Sequence, residues 1–281
     1  ASLGTIQLFF GYGESYTLVT LLTAGYISLA IDALRGLRSP WIPGALLVAA
    51  ALTHMLAVSL APSWIYLAWR DRRLGPLLRR RHVALPLAAA GAAAAVVCYL
   101  TLYQGLHLPL RADGPGRYGL LSLSHLVNLG NELLLVGPFG ALWGVTSLLR
   151  RARATEETTF LGWAALGACG LIGVHDITMA GRDWDLMSFP TLPLSLWGIQ
   201  SLRQRHGDPA LPWVGRLVLP VMLLHTGLWV GVNLSGERAA ARQEHLLMGP
   251  ANQLAHYRHW VLGYFYMKQG GKMLITIISW K

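Results

Sequence analysis

The sequence predicts an all-α fold, a polytopic bundle of about seven or eight membrane-spanning helices followed by a short soluble helical tail. Of its 281 residues, 54% are hydrophobic and only 13% are charged, and the mean hydropathy is +0.44. Ordinary soluble domains are less apolar and more charged. The stretch Val83–Leu102 also lacks the polar face that a surface helix of a soluble protein needs. These observations favour a membrane protein over a large soluble helical core.

The apolar runs predict the helical elements in chain order. The longer runs can each cross ~30 Å of hydrocarbon as a helix. The segments lie at about Thr17–Leu34, Trp41–Val58, Leu60–Trp69, Val83–Tyr103, Leu126–Leu149, Phe160–Met179, Leu186–Ile199 and Trp213–Val232.

The second and third segments form one apolar stretch, Trp41–Trp69, which is too long for one comfortable span. It contains Pro62, and a proline inside a helix kinks or breaks it. We therefore predict a bent pair whose tip lies near His54 and Ser59. The alternative is a single tilted helix, which would place everything before it on the other side of the membrane.

The arginines between the apolar segments predict which segment ends share one side of the membrane. One set of loops is rich in arginine, whereas the opposite set carries only Arg111, Arg117 and Arg182 before the tail. The positive-inside rule makes the first set cytoplasmic and the second extracytoplasmic, in what we expect to be a bacterial inner membrane. The net charge of +10 therefore reflects topology and predicts the lipid bilayer, not nucleic acid, as the partner. The arginine-rich set comprises Arg35, Arg38, Arg70, Arg72, Arg73, Arg79, Arg80, Arg81, Arg150, Arg151, Arg153, Arg203 and Arg205.

Composition divides the chain into a transmembrane helical domain, residues 1–235, and an extracytoplasmic helical tail, residues 236–281. The tail is more polar, and all the lysines of the chain lie near its end. The chain opens on Ala1 directly into helix-like sequence, so we expect an N-terminal fragment. The final run, Met273–Trp280, breaks the preceding pattern and is either a frameshifted end or a chance departure.

Acidic residues within membrane helices cost roughly 2.5–3.5 kcal/mol at the helix centre, so those on the extracytoplasmic side are candidate site residues. His125, Asn128 and Glu132 are spaced by three and four residues and would share one helix face. The alternative is a turn at the membrane surface that hydrogen-bonds to itself and to lipid headgroups. Glu156 and Glu157, among the cytoplasmic arginines, are interpreted as solvated charges.

Two further polar groups are predicted near the same side. Tyr12 and Glu14 lie in a Gly-Tyr-Gly-Glu-Ser-Tyr run before the first span, where the glycines allow a turn or close packing. His54 lies at the outer end of the second segment. The alternative is that the tyrosines belong to the interfacial aromatic belt, that Glu14 has no task, and that His54 is a packed residue.

The loop after the sixth segment carries His175-Asp176 and then Arg182-Asp183-Trp184-Asp185. On an extended chain both carboxylates beside Trp184 point to one side, which suits a general base or a sugar contact with a stacking ring. A divalent cation is the one cofactor considered for this His/Asp/Glu group, although no ligand pair at a firm metal-binding spacing is present. The alternative is an interfacial tryptophan flanked by solvated charges.

Several of these motifs together resemble the GT-C class of integral-membrane glycosyltransferases. The similarity rests on the run from Leu8 to Tyr16, on Leu34-Arg35-Gly36, on Ala51-Leu52-Thr53-His54, and on Arg182–Leu186 with Pro190 and Pro193. It covers about Leu8–Leu202. It implies transfer of a sugar from a polyprenyl-phosphate donor to an acceptor at the outer face of the membrane.

The resemblance also implies site roles. The family's base is an acidic residue in the first large outer loop, which would precede Ala1, so Glu14 is not equated with it. In the enzyme hypothesis Glu14, Asp183 or Asp185 is catalytic and Arg182 contacts phosphate. The remaining substrate-binding candidates are Tyr12, His54, His125, Asn128, Glu132, His175, Asp176 and Trp184.

The tail has a second resemblance, since Leu262-Gly263 with Tyr266 and Gly270 is similar to the start of a tetratricopeptide repeat, although Ile275 replaces the expected small residue. It implies a protein partner for the tail.

Two other functions compete with the enzyme. One is a transporter or flippase for a lipid-linked or small polar substrate, and the other is a non-catalytic membrane anchor for a repeat scaffold.

Overall fold

The computed structural model of the chain describes residues 16–71, 75–76, 80, 119–149, 154–174, 188–207, 210–238 and 241. Within these residues the regular structure is helical and contains no strand, which confirms the predicted all-α class. The elements are α1 (Tyr16–Leu34), α2 (Trp41–Thr53), a 3-10 helix (Met55–Leu60), α3 (Ala61–Arg70), α4 (Leu123–Val136), α5 (Pro138–Leu149), α6 (Glu156–Gly173), α7 (Thr191–His206) and α8 (Ala210–Asn233).

The bent pair predicted for Trp41–Trp69 is present, and its break lies at His54, as predicted, although Pro62 does not cause it. His54 is extended (φ −155°, ψ 129°), and its Nδ1 accepts a hydrogen bond from the Leu56 amide at 3.2 Å. Pro62 lies in the first turn of α3, where a missing amide hydrogen costs nothing. The chain then reverses, and α3 returns beside the start of α2. There the indole of Trp64 donates to the carbonyl of Pro40 (3.3 Å).

The predicted segment Leu126–Leu149 is divided in two, α4 and α5. Gly137 leaves the helical conformation (φ −161°, ψ 64°) directly before Pro138. A proline disfavours the helical conformation of the residue before it, and Gly137 accepts the extended alternative without strain. Two short helices therefore replace the single long one that the sequence predicts.

The helices approach one another closely at small residues. A Cβ atom on Gly167 of α6 would overlap the carbonyl oxygen of Ser59 in the 3-10 helix. A Cβ atom on Gly140 of α5 would lie 2.7 Å from the Ser195 hydroxyl of α7, and one on Gly198 would lie 3.0 Å from the side chain of Trp143. Such glycine contacts let backbones pack against each other, as they do in membrane helix bundles.

The largest buried cluster joins α1, α6 and the bent pair. Tyr26 and Phe160 are fully buried, with ring centroids 5.9 Å apart, and Leu56 and Leu60 pack into the same cluster. The Tyr26 hydroxyl and the Ser63 hydroxyl share a hydrogen bond of 2.7 Å. This core fixes α1 between α2, α3 and α6.

One end of the bundle is held by charged and amide side chains, and we call it the basic end. Arg35, after α1, donates to Glu157 at the start of α6 (2.8 Å), and Gln200 of α7 donates to the same carboxylate (2.8 Å). Arg70, at the end of α3, pairs with Glu156. Glu157 is therefore more than the solvated charge that the sequence predicts, because its carboxylate connects α1, α6 and α7. Glu156 remains about half-exposed in its pair with Arg70. Arg35, Arg38, Arg70, Arg203 and Arg205 gather here, as the loop pattern predicts for these five arginines.

Membrane-spanning capacity is clear for one helix among the described residues. α1 has 19 residues and a mean hydropathy of 1.6, and 33% of its apolar window is buried. α2 and the stretch Gly215–Leu228 of α8 are apolar but shorter. The predicted count of seven or eight spans therefore stays a prediction. The tail of residues 236–281 lies outside the described residues apart from 236–238 and 241.

Candidate functional site

The end of the bundle opposite the basic end, here called the far end, carries the described candidate site residues. α1 begins there with Tyr16, whose ring lies 4.7 Å from the imidazole of His54 at the end of α2. α6 starts at the basic end and runs to Gly173 at the far end. Two groups of site residues lie along the far half of α6. The first is Tyr16 with His54, in the bend that contacts Gly167 through Ser59, and the second is the polar face of α4, which contacts Gly173.

The predicted stripe on α4 faces the interior of the bundle. α4 begins after Ser122, whose hydroxyl accepts from the His125 amide (3.2 Å) and so caps the helix. His125 and Glu132 are 1% and 6% exposed, and Asn128 is half-buried. The spacing of three and four residues thus predicted one shared face correctly, and that face is covered by protein.

His125 connects α4 to the end of α6. Its Nε2 lies 2.7 Å from the Gly173 carbonyl oxygen. A carbonyl oxygen only accepts, so Nε2 carries the hydrogen. Gly173 is the last residue of α6, and the last carbonyls of a helix have no partner within it. His125 therefore satisfies one such carbonyl and holds the end of α6 against α4.

Glu132 is the buried carboxylate of the far half. It lies in the third turn of α4, and Asn128, one turn earlier on the same face, also has an interaction partner. A buried acid is costly unless other groups stabilise it or it changes its protonation state. The inward face of α4 therefore carries an imidazole, an amide and a carboxyl group in a covered part of the bundle.

Sequence reasoning identified some of this arrangement and missed the rest. The capping role of Ser122, the Gly173 carbonyl and the buried pair Ser188 and Thr191 at the start of α7 were not predicted. Ser122 could have been found, since a serine three residues before the first inward-facing position is a helix-start signal. The Gly173 carbonyl has no sequence signal at all.

The other predicted site residues lie outside the described residues, so their placement stays a prediction. They are Tyr12, Glu14, His175, Asp176, Arg182, Asp183, Trp184 and Asp185. In the ranges that the structure does describe, no group of three or more His, Cys, Asp or Glu side chains is arranged to hold a metal ion. A divalent cation bound by His175, Asp176, Asp183 or Asp185 stays a prediction.

Comparison with known proteins gives no match: no protein family, no curated protein and no solved structure is similar to this chain.

Proposed function

We propose that the chain is a multi-pass membrane protein whose far end binds the polar head of a lipid-linked sugar and transfers the sugar to an acceptor. The observation that carries the proposal is the buried face of α4, where His125 and Glu132 are 1% and 6% exposed. Histidine and glutamate within an apolar helix are expensive in a membrane and are typical of substrate or proton sites. The glycosyltransferase resemblance supplies the substrate class.

Exposed apolar side chains support the membrane location. On α1 and α2 they include Leu21, 59% exposed, and Leu52, 85% exposed. On α8, Leu219, Leu224 and Leu228 are between 60% and 65% exposed. Apolar surface of this extent on several helices is expensive in water and neutral in hydrocarbon. The close glycine contacts between helices support the same location.

The proposed reaction needs one base and one anion-binding group. The bond between the sugar and the donor phosphate breaks, polyprenyl phosphate leaves, and the acceptor hydroxyl forms the new bond while its proton passes to a carboxylate. Asp183, Asp185 or Glu14 would take that proton, and Arg182 would bind the phosphate. Trp184 would stack on the sugar ring. His125 would serve by fixing the end of α6, from which the chain continues towards this loop.

The test is sugar transfer by the full chain in membranes. Glu132→Gln removes the carboxyl group from the buried face of α4 and retains the shape of the side chain, so we expect sugar transfer from a polyprenyl-phosphate hexose to fall at least tenfold, with release of free polyprenyl phosphate as the readout. Glu237→Gln makes the same change at an exposed position beyond α8 and should leave the rate unchanged. Equal rates for the wild type and both variants would remove Glu132 from the site.

Transport is the second candidate, and the position of Glu132 favours it. This carboxylate lies within α4 and not at its end, and transporter sites lie within the helices of the bundle. Reconstituted vesicles distinguish the two functions. Labelled substrate that crosses the bilayer intact, with no polyprenyl phosphate released, would show transport and would contradict the transferase.

A further inference from the structure

The basic end holds a second polar surface, separate from the candidate site at the far end. We propose that this surface binds the phosphate groups of anionic phospholipids, of which phosphatidylglycerol is the test case. The inference rests on the proposed membrane location and goes beyond it, because it names a lipid class and the end of the bundle that selects it.

Three acids at this end are engaged by arginines. Glu157 accepts from Arg35 at 2.8 Å, Asp32 accepts from Arg38 at 3.2 Å, and Glu156 pairs with Arg70. Each contact uses one nitrogen of a guanidinium that has five N–H donors. The three arginine side chains remain 51%, 49% and 48% exposed. The carboxylates therefore fix the arginines in place and leave donors directed at the surroundings.

Further positive charge surrounds these pairs. Arg203 and Arg205 lie exposed in the last turn of α7, next to the start of α6 through the hydrogen bond between Gln204 and Thr158 (2.9 Å). An anion near this end therefore meets excess positive charge.

Exposed apolar side chains at the same end favour a lipid over a nucleic acid or a soluble acidic protein. Trp41 is 59% exposed and Trp69 is 46% exposed, at the start of α2 and the end of α3. Leu37 and Ile42, beside Arg38, are 70% and 45% exposed. Tryptophan next to arginine and aliphatic surface is typical of proteins at the lipid headgroup region. There the indole ring lies at the membrane–water interface and the arginine is attracted to anionic lipid. A nucleic acid would leave this apolar surface in water.

The experiment titrates the purified full chain in detergent with phosphatidylglycerol or phosphatidylcholine and counts bound lipid by native mass spectrometry. An arginine near an anionic lipid surface contributes about fivefold in affinity. Arg203→Gln with Arg205→Gln should therefore weaken phosphatidylglycerol binding on the order of twentyfold. The double lysine variant keeps the charge and should lose little affinity. Arg238→Gln, exposed beyond the other end of α8, is the matched control and should bind as the wild type does.

The other outcomes separate the sources of the anion and the two proposals. Displacement of bound phosphatidylglycerol by millimolar inorganic phosphate would assign the site to free phosphate and overturn the lipid assignment. Equal affinity of the wild type for the two lipids, in a protein that floats with vesicles of either lipid, would overturn the headgroup site alone. A protein that floats with neither kind of vesicle would overturn the membrane location as well.

Discussion

At the scale of single residues, His125 connects local sequence to the candidate site. The side chain is 1% exposed, and its Nε2–H reaches the Gly173 carbonyl at 2.7 Å, 48 residues away in sequence. The bond is partly buried, so removal of the buried imidazole would cost the Gly173 carbonyl its side-chain donor. The hydrogen bond therefore contributes to the stability of the fold. It also fixes the position of Gly173, where α6 ends.

His125→Leu tests this contact. Because the substitution removes the side-chain donor of this partly buried hydrogen bond, we expect the free energy of unfolding in detergent to fall by about 1–2 kcal/mol. His206→Leu changes an exposed histidine at the end of α7 and should stay within about 0.5 kcal/mol of the wild type. Equal effects of the two substitutions would show that the bond between α4 and α6 contributes nothing.

At the scale of helices, glycines decide which elements touch. Gly167 lets α6 lie against the backbone of the 3-10 helix at Ser59, and this contact brings the break at His54 to the far half of α6. Gly170, one turn later on α6, has open space around its missing Cβ. Alanine substitutions at Gly167 and Gly170 therefore distinguish the effect of helix propensity on stability from the effect of packing.

Gly167→Ala and Gly170→Ala form a matched pair of measurements. The first forces a methyl group against the Ser59 carbonyl, and we expect a loss of about 1–3 kcal/mol of unfolding free energy. The second adds a methyl group where space is open, and the gain in helix propensity should raise stability by about 0.5–1 kcal/mol. A stable Gly167→Ala protein would mean that α6 and the 3-10 helix are not in contact.

The sequence predicts the elements better than their junctions. Hydropathy located α1 to within one residue, whereas the segment predicted as Phe160–Met179 is the helix Glu156–Gly173. The spacing of His125, Asn128 and Glu132 predicted their shared face. The break near His54 was predicted correctly, but the proline taken as its cause, Pro62, lies in the first turn of α3, where a proline is tolerated. The division of α4 from α5 follows from the Gly137-Pro138 pair, a signal that continuous hydropathy conceals.

Contacts between distant segments could not be predicted at all. The pair of Arg35 with Glu157 joins residues 122 positions apart, and the Gly173 carbonyl that receives His125 has no side chain to mark it. Charge pattern alone could say only that these arginines share an end. Packing decides which acid each arginine reaches, and that information is distributed over the whole bundle.

At the scale of the whole molecule, the directions of the helices separate two chemically different ends. α1 and α3 run towards the basic end, and α2 and α6 run away from it, as the contacts of Arg35, Arg70, Trp64 and Gly173 require. Asp32, Glu156 and Glu157 bind arginines at that end, whereas His54, His125 and Glu132 occupy the far half. A membrane between the two ends would give each its own solvent compartment.

Cysteine labelling in intact bacterial spheroplasts tests this two-ended arrangement most directly. In a chain with Cys98 and Cys169 replaced by alanine, Ser39→Cys places a thiol at the exposed turn of the basic end, and Glu237→Cys places one beyond α8. A membrane-impermeant maleimide should label Glu237→Cys in intact spheroplasts, and should label Ser39→Cys only after the membrane is permeabilised. Equal labelling of the two thiols before permeabilisation, or labelling of Ser39→Cys alone, would contradict a membrane protein with its basic end in the cytoplasm and its candidate site outside.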